Sequence, residues 1–264
     1  MAKKIREIPE GYETACPDAG RLERMAVPGF SDAVVYLPSG YDGNEDRYPS
    51  VYLLHDGLGN QDSFFTADGK LKNMLDHMIA AGEIRPLLVV TPTYYPPGKT
   101  GGEIEYSQEA VREFEEILLK KIVPAVDGKY RTRTEVRSRC LGGFAMGAVA
   151  TWYIMMMEGT GTFYWYLPLC GDCWICGRRG GDRHPAQTAG LMAAAMQGKS
   201  FSVNAYTGMR DPSFPSLSSQ IHAMREFPDV FSSNLKYSVM QEGTNDYPSV
   251  RRYLYNALPE LFTR

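Results

Sequence analysis

No run of roughly 18 apolar residues occurs anywhere in the 264 residues, so the sequence offers no candidate for a membrane-spanning helix. The chain opens Met1-Ala2-Lys3-Lys4-Ile5-Arg6, which is basic, but no apolar segment follows and the start does not read as a secretory signal. The expectation is a cytoplasmic protein, or a secreted one whose signal lies outside this sequence. Charge of one sign is not in excess. A net charge of −3 gives no reason to expect nucleic acid or an anionic membrane as partner. Internal repeats and low-complexity tracts are missing too. Cysteine is sparse and odd in number: Cys16, Cys140, Cys170, Cys173 and Cys176 do not read as a disulfide framework. Histidine is limited to His55, His77, His184 and His222.

What is present is an alternation of short apolar runs with helical stretches. Runs at Ala33–Leu37, Val51–Leu54, Leu87–Val90, Trp165–Leu169, Phe201–Tyr206 and Tyr237–Met240 read as buried strands. Helix-period stripes cover Leu71–Ala81, Gln108–Val126, Thr188–Met196, Ser216–Glu226 and Ser249–Leu261. Continuous apolar strands separated by helices predict an α/β fold, a mainly parallel central sheet with helices on both faces. Tyr94–Gly102 and Ile175–Pro185 read as loops because Pro and Gly interrupt both periodicities. Neither is long enough to link domains, so residues 1–264 are expected to form one domain.

One segment carries a chemical signature from which the chemical group is missing. Gly143-Phe144-Ala145-Met146-Gly147 stands between an apolar run and the helical stretch Ala148–Met155. Strand, sharp turn and helix with glycines at these two places form the frame of G-x-S-x-G, in which the central serine is a nucleophile. Here the central residue is Ala145, whose methyl group attacks nothing. Glycines four apart also occur in ordinary strand-to-helix turns, so the frame counts only with its surroundings.

Those surroundings supply three further segments in the order that such chemistry needs. Leu53–Asn60 ends a strand in a turn with His55, Asp56, Gly57 and Leu58, where a backbone N–H could serve an oxyanion hole, the N–H of Met146 being the second donor. Tyr206–Asp211 ends another strand in a turn bearing an acid. Gln241–Tyr247 follows the last strand.

On these segments the chain resembles the feruloyl esterase branch of carbohydrate esterase family 1, the esterase D-like α/β-hydrolases. The matching stretches are Tyr36–Tyr41, Pro49–His55, Val89–Thr93, Lys121–Val126, Gly142–Gly147, Leu167–Trp174 and Tyr253–Pro259, spread over nearly the whole chain. The resemblance implies an α/β-hydrolase acting on carboxylic esters of the feruloyl or acetyl xylan type, with no cofactor and no metal. The implied ligand is a small aromatic, hydroxycinnamoyl-like ester or an acetylated carbohydrate. It maps the nucleophile to Ala145, the acid to Asp211 and the base to Asn245.

The departures weigh as much as the match. Ala145 stands where the family has Ser, Asn245 where it has His, Asp56 where it usually has Gly, and Cys170 where it often has Ser. No histidine follows the last strand, so the base cannot come from its usual loop. The chain as written is therefore expected to be inactive as a serine esterase, either crippled or a natural pseudoenzyme repurposed for binding or other chemistry. Asp56 is a candidate replacement acid or base, its alternative being a solvated turn residue. Met146, His55, Gly57, Leu58, Asp172, Trp174 and Tyr94 are candidate substrate contacts. For His55 the alternative is a structural role in its turn, and for Asp172 a capping role. Cys170, Cys173 and Cys176, with His184 eight residues on, could be a thiol or metal site, but no second C-x2-C pair is present and small buried thiols are the plainer reading.

Overall fold

The computed structural model describes residues 5–101 and 104–263, the side chains of 104–109 excepted. Met1–Lys4, Gly102 and Arg264, which the readings above include, lie outside the described residues. The strands are β1 (Arg21–Met25), β2 (Ala33–Leu37), β3 (Ser50–Leu54), β4 (Leu88–Pro92), β5 (Arg139–Phe144), β6 (Trp165–Leu169), β7 (Ser202–Gly208) and β8 (Leu235–Met240). Among the described residues they form an eight-stranded sheet in the order β1-β2-β4-β3-β5-β6-β7-β8. From β4 to β8 every pairing is parallel, while β1 and β2 run antiparallel at one edge.

The helices are α1 (Leu71–Ala80), α2 (Ile104–Ile117), α3 (Val123–Lys129), α4 (Met146–Met156), α5 (Gly180–Arg183), α6 (Pro185–Met196), α7 (Phe214–Met224), α8 (Pro228–Phe231) and α9 (Tyr247–Ala257). Alternate residues of β3 serve opposite faces. Tyr52 and Leu54 join a cluster with Phe114, Ile122, Trp152, Met155 and Leu217, whereas Val51 and Leu53 join Met74, Met78, Tyr253 and Leu254. Helices thus cover both faces, which is why the inner strands are apolar throughout rather than alternating.

Three local readings need correction. The stretch read as one helix from Gln108 to Val126 is interrupted at Leu118–Ile122 by a π-type turn, with the Val123 N–H bonded to the Leu118 carbonyl. Pro124 lacks the N–H that would bond back to Lys120, so the regular ladder cannot pass through. The segment 175–185 is not wholly loop: it contains α5, and Pro185 already opens α6, a place where its missing N–H costs nothing. Strand β1 escaped notice because Arg-Leu-Glu-Arg-Met is an edge strand, mostly exposed, with no apolar run.

Candidate functional site

The elbow is held by backbone contacts. Ala145 sits between β5 and α4 with φ 52° and ψ −107°, a left-handed φ that costs a non-glycine residue energy. Its N–H donates to the Leu169 carbonyl of β6 at 2.9 Å. A Cβ on Gly147 would collide with the Leu54 carbonyl and lie 2.6 Å from that of His55; one on Gly143 would collide with Gly147. Both glycines are therefore required by the closeness of α4 to the ends of β3 and β5. Met146 begins α4, where the first N–H groups of a helix have no partner within the helix.

The turn after β3 is fixed from behind. His55 is 1% exposed, and its ring stacks on Tyr94 with centroids 4.3 Å apart. Its Nδ1 lies 2.6 Å from the Asp56 carbonyl, and Nε2 lies 3.0 Å from Thr93 Oγ1. A carbonyl can only accept, so Nδ1 carries the hydrogen and Nε2 accepts from the threonine. Burial pushes the imidazole down to about 4, so it is neutral near pH 7. The Tyr94 hydroxyl donates to the Asp56 carbonyl at 2.6 Å, and that of Tyr95 to the Gly57 carbonyl at 2.5 Å. His55 and Tyr94 thus shape the turn from within the core. Leu58 projects outward, 78% exposed.

The Asp56 carboxylate turns toward α9. Its Oδ1 accepts from the Tyr247 hydroxyl at 2.8 Å, and Oδ2 lies 3.4 Å from the Leu58 N–H. The Tyr247 ring meets Phe144 and Phe64 edge-on at 5.2 and 5.4 Å. Burial first, and the Asp56 charge second, raise the phenol well above its ordinary value.

On the other side, Asp211 is buried after β7. Its Oδ1 accepts from the Ser213 N–H at 2.6 Å and the Ser213 hydroxyl at 2.5 Å. Its Oδ2 accepts from Asn245 Nδ2 at 2.8 Å. The acid and base positions are thus brought together as an Asp–Asn pair. Asn245 lies in the loop before α9, whose first turn is capped by Asp246 through the Ser249 N–H at 2.8 Å.

Asp172 is 2% exposed and fully engaged, accepting from Trp174 Nε1 at 3.1 Å, the Ser216 hydroxyl at 3.0 Å and the Gly181 N–H at 2.9 Å. Burial raises its pKa, and these donors oppose the rise. It pins the 175–185 segment to α7, and Trp174 is only partly buried beside it. Cys170 has φ 60° and packs against Asp211, Tyr253 and Thr207. Burial, then the neighbouring Asp211 charge, pushes its thiol well above the usual range, so the nucleophilic thiolate is disfavoured. Among the described residues no three His, Cys, Asp or Glu side chains are grouped to hold a metal.

Sequence reasoning missed Tyr247, Ser213 and Thr93. Asp211-Pro212-Ser213 does carry the pattern of an Asx turn, in which a carboxylate accepts from the N–H two residues on. Nothing in the sequence marked Tyr247 as the partner of Asp56. At the same sheet edge a cavity of about 460 Å³, lined by Phe30, Gly59, Asn60, Tyr95, Pro96 and Lys99 among others, adjoins the Asp56 turn.

Sheet order, elbow and acid turn together define an α/β-hydrolase scaffold. The family model described as "Putative esterase" matches residues 31–158. The chain is 33% identical to endo-1,4-beta-xylanase Y of Acetivibrio thermocellus over 99% of its own length and 25% of that protein. It is 32% identical to an endo-1,4-beta-xylanase/feruloyl esterase of Xylanibacter ruminicola over 51% of its length and 19% of that protein. It therefore spans a quarter or less of these curated relatives. A serine-to-alanine mutant of the feruloyl esterase module from Clostridium thermocellum, complexed with sinapinate, superposes with a TM-score of 0.84 at 33% identity, covering 99% of this chain and 95% of that one. The chain belongs to the feruloyl esterase family of carbohydrate esterases, family 1.

Proposed function

We propose that this chain is a single-domain member of the feruloyl esterase lineage that has given up serine-esterase turnover and keeps a site for a small ester, either an aromatic, hydroxycinnamoyl-like one or an acetylated carbohydrate. The observation that carries this reading is the Asp211–Asn245 bond, together with an elbow whose apex is Ala145. An asparagine amide donates to the acid as an imidazole N–H would, but it cannot take a proton from a nucleophile. An alanine has no proton to give. The frame of the triad persists in atoms that cannot react. The sinapinate complex of the related module supports an aromatic ligand here. The alternative, a cysteine nucleophile, is disfavoured by the raised thiol of Cys170.

Two measurements test the reading. Calorimetric titration with methyl ferulate should show binding, in a range of about 1 μM to 1 mM typical of substrates. Hydrolysis of the same ester should stay at background for the unsubstituted chain and rise strongly in Ala145→Ser/Asn245→His. Multiple turnover by the unsubstituted chain would overturn the first half of the proposal. No binding up to millimolar ester would overturn the second.

A further inference from the structure

Leu54 of β3 pairs with Gly143 of β5. Asp56 follows β3 at the same sheet edge as Ala145, and Tyr247 links the two turns, its hydroxyl on Asp56 Oδ1 at 2.8 Å and its ring 5.2 Å from Phe144, the residue before Ala145. The Asp56 carboxylate is partly exposed there. The nearby charges do not offset it. His55 is buried and neutral, and Asn245 bears no charge. Arg210 is paired with Glu242 at 2.5 Å, and Arg251 with Glu13 and the carbonyls of Asp68 and Gly69. Lys99 lines the adjoining cavity, whose lining does not include Asp56.

We infer that Asp56 is a specificity-determining residue that makes the site accept an uncharged acyl compound, an ester or amide of a hydroxycinnamic acid, and turn away the free acid. The inference rests on the ligand-binding reading above. A ligand seated in the register of an α/β-hydrolase places its acyl carbon over position 145. An ester presents a neutral carbonyl there, whereas a free acid presents a second carboxylate close to that of Asp56. In a partly desolvated site, two like charges at such a separation weaken binding by about tenfold or more at low salt. The related module, whose complex holds sinapinate, takes an acid. The family pattern usually has glycine where this chain has Asp56, so rejection of the acid is expected to be particular to this chain.

The test is calorimetric titration with methyl ferulate and with sodium ferulate at pH 7 and low ionic strength, circular dichroism confirming the fold of each variant. The ester should bind the unsubstituted chain about tenfold or more tightly than the acid, and added salt should narrow the gap. Asp56→Asn keeps an oxygen for the Tyr247 hydroxyl and should bring the acid within about threefold of the ester. Tyr247→Phe keeps the charge and should leave the gap open. Ferulate binding the unsubstituted chain as tightly as the ester, or a gap unchanged in Asp56→Asn, overturns this inference alone. Failure of both ligands to bind overturns it together with the ligand-binding reading.

Discussion

The elbow and the two turns that flank it are built from different materials. At the elbow, position is enforced by backbone against backbone: α4 lies so close to the ends of β3 and β5 that Gly143 and Gly147 leave no space for a methyl group. In the flanking turns, position is enforced by side chains: Tyr94 and Tyr95 on the carbonyls after β3, Ser213 on Asp211, Tyr247 on Asp56. Replacing the side chain at residue 145 leaves the first kind of restraint untouched. A scaffold can therefore lose its reacting atoms at the elbow without losing the elbow. A flanking turn has no such independence, because the side chains that set its chemistry also set its shape.

The largest effect should come from restoring the reacting atoms in combination. Ala145→Ser alone has no base to activate it, and Asn245→His alone has no nucleophile to serve. Each should hydrolyse methyl ferulate at close to background. The double variant should exceed either by roughly 100- to 10,000-fold in kcat/KM, the range that a working base supplies. Adding Asp56→Gly should raise the rate further by removing a carboxylate that opposes a developing oxyanion. If Ala145→Ser alone matched the double variant, some other group would be the base, and the account of the flanking turn would break.

Next in size is the elbow itself. Gly147→Ala forces a methyl group onto the carbonyls of Leu54 and His55, which belong to backbone fixed in the sheet. Overpacking costs about 1–3 kcal/mol where side chains can move, and the upper end, about 3 kcal/mol, is expected here. Urea denaturation gives the number. A cost below 1 kcal/mol would mean that α4 is free to shift, which contradicts a backbone-locked elbow.

Much of the fold was legible because its inner strands are buried on both faces: Val51–Leu54 and Trp165–Leu169 announce themselves as continuous apolar runs. The antiparallel edge was not, because an exposed strand such as Arg21–Met25 needs only the backbone of β2 to form. The elbow was legible for a related reason, since a glycine demanded by close approach has no substitute. The pairing of Asp211 with Asn245 could be placed only through the family resemblance. The Tyr247–Asp56 bond joins residues 191 apart in sequence, and no local pattern encodes such a contact.

The pH dependence of stability separates the β3 turn from the elbow. The folded-state pKa of His55 is depressed to about 4, below its ordinary value of about 6.5, so the unfolded chain binds more protons between those values. Its buried neutral form therefore costs nothing above pH 6.5, and stability is lost as pH falls from 6.5 toward 4. The loss attributable to this residue should reach about 2–3 kcal/mol, read as the slope of unfolding free energy against pH. His55→Asn should be less stable at pH 7 but should flatten that slope. An unchanged slope would place the acid sensitivity elsewhere.

The smallest effect tests whether the Asp56 turn depends on α9. Tyr247→Phe removes one hydroxyl and leaves the ring free to meet Phe144 and Phe64 edge-on as before. Hydrophobic packing is then unchanged, and the loss is one hydrogen bond to a carboxylate that is partly exposed and can turn to water. Such a bond contributes about 1 kcal/mol, at most about 2 because its acceptor is charged. Denaturation midpoints measured alongside Asp56→Asn decide how the effect is carried. If the bond acts as a local tether, the two single changes fail to add, because the second removes an interaction that the first has already weakened. If they add fully, Asp56 and Tyr247 are held by separate contacts and the turn after β3 stands without α9, held from within the core by the hydroxyls of Tyr94 and Tyr95.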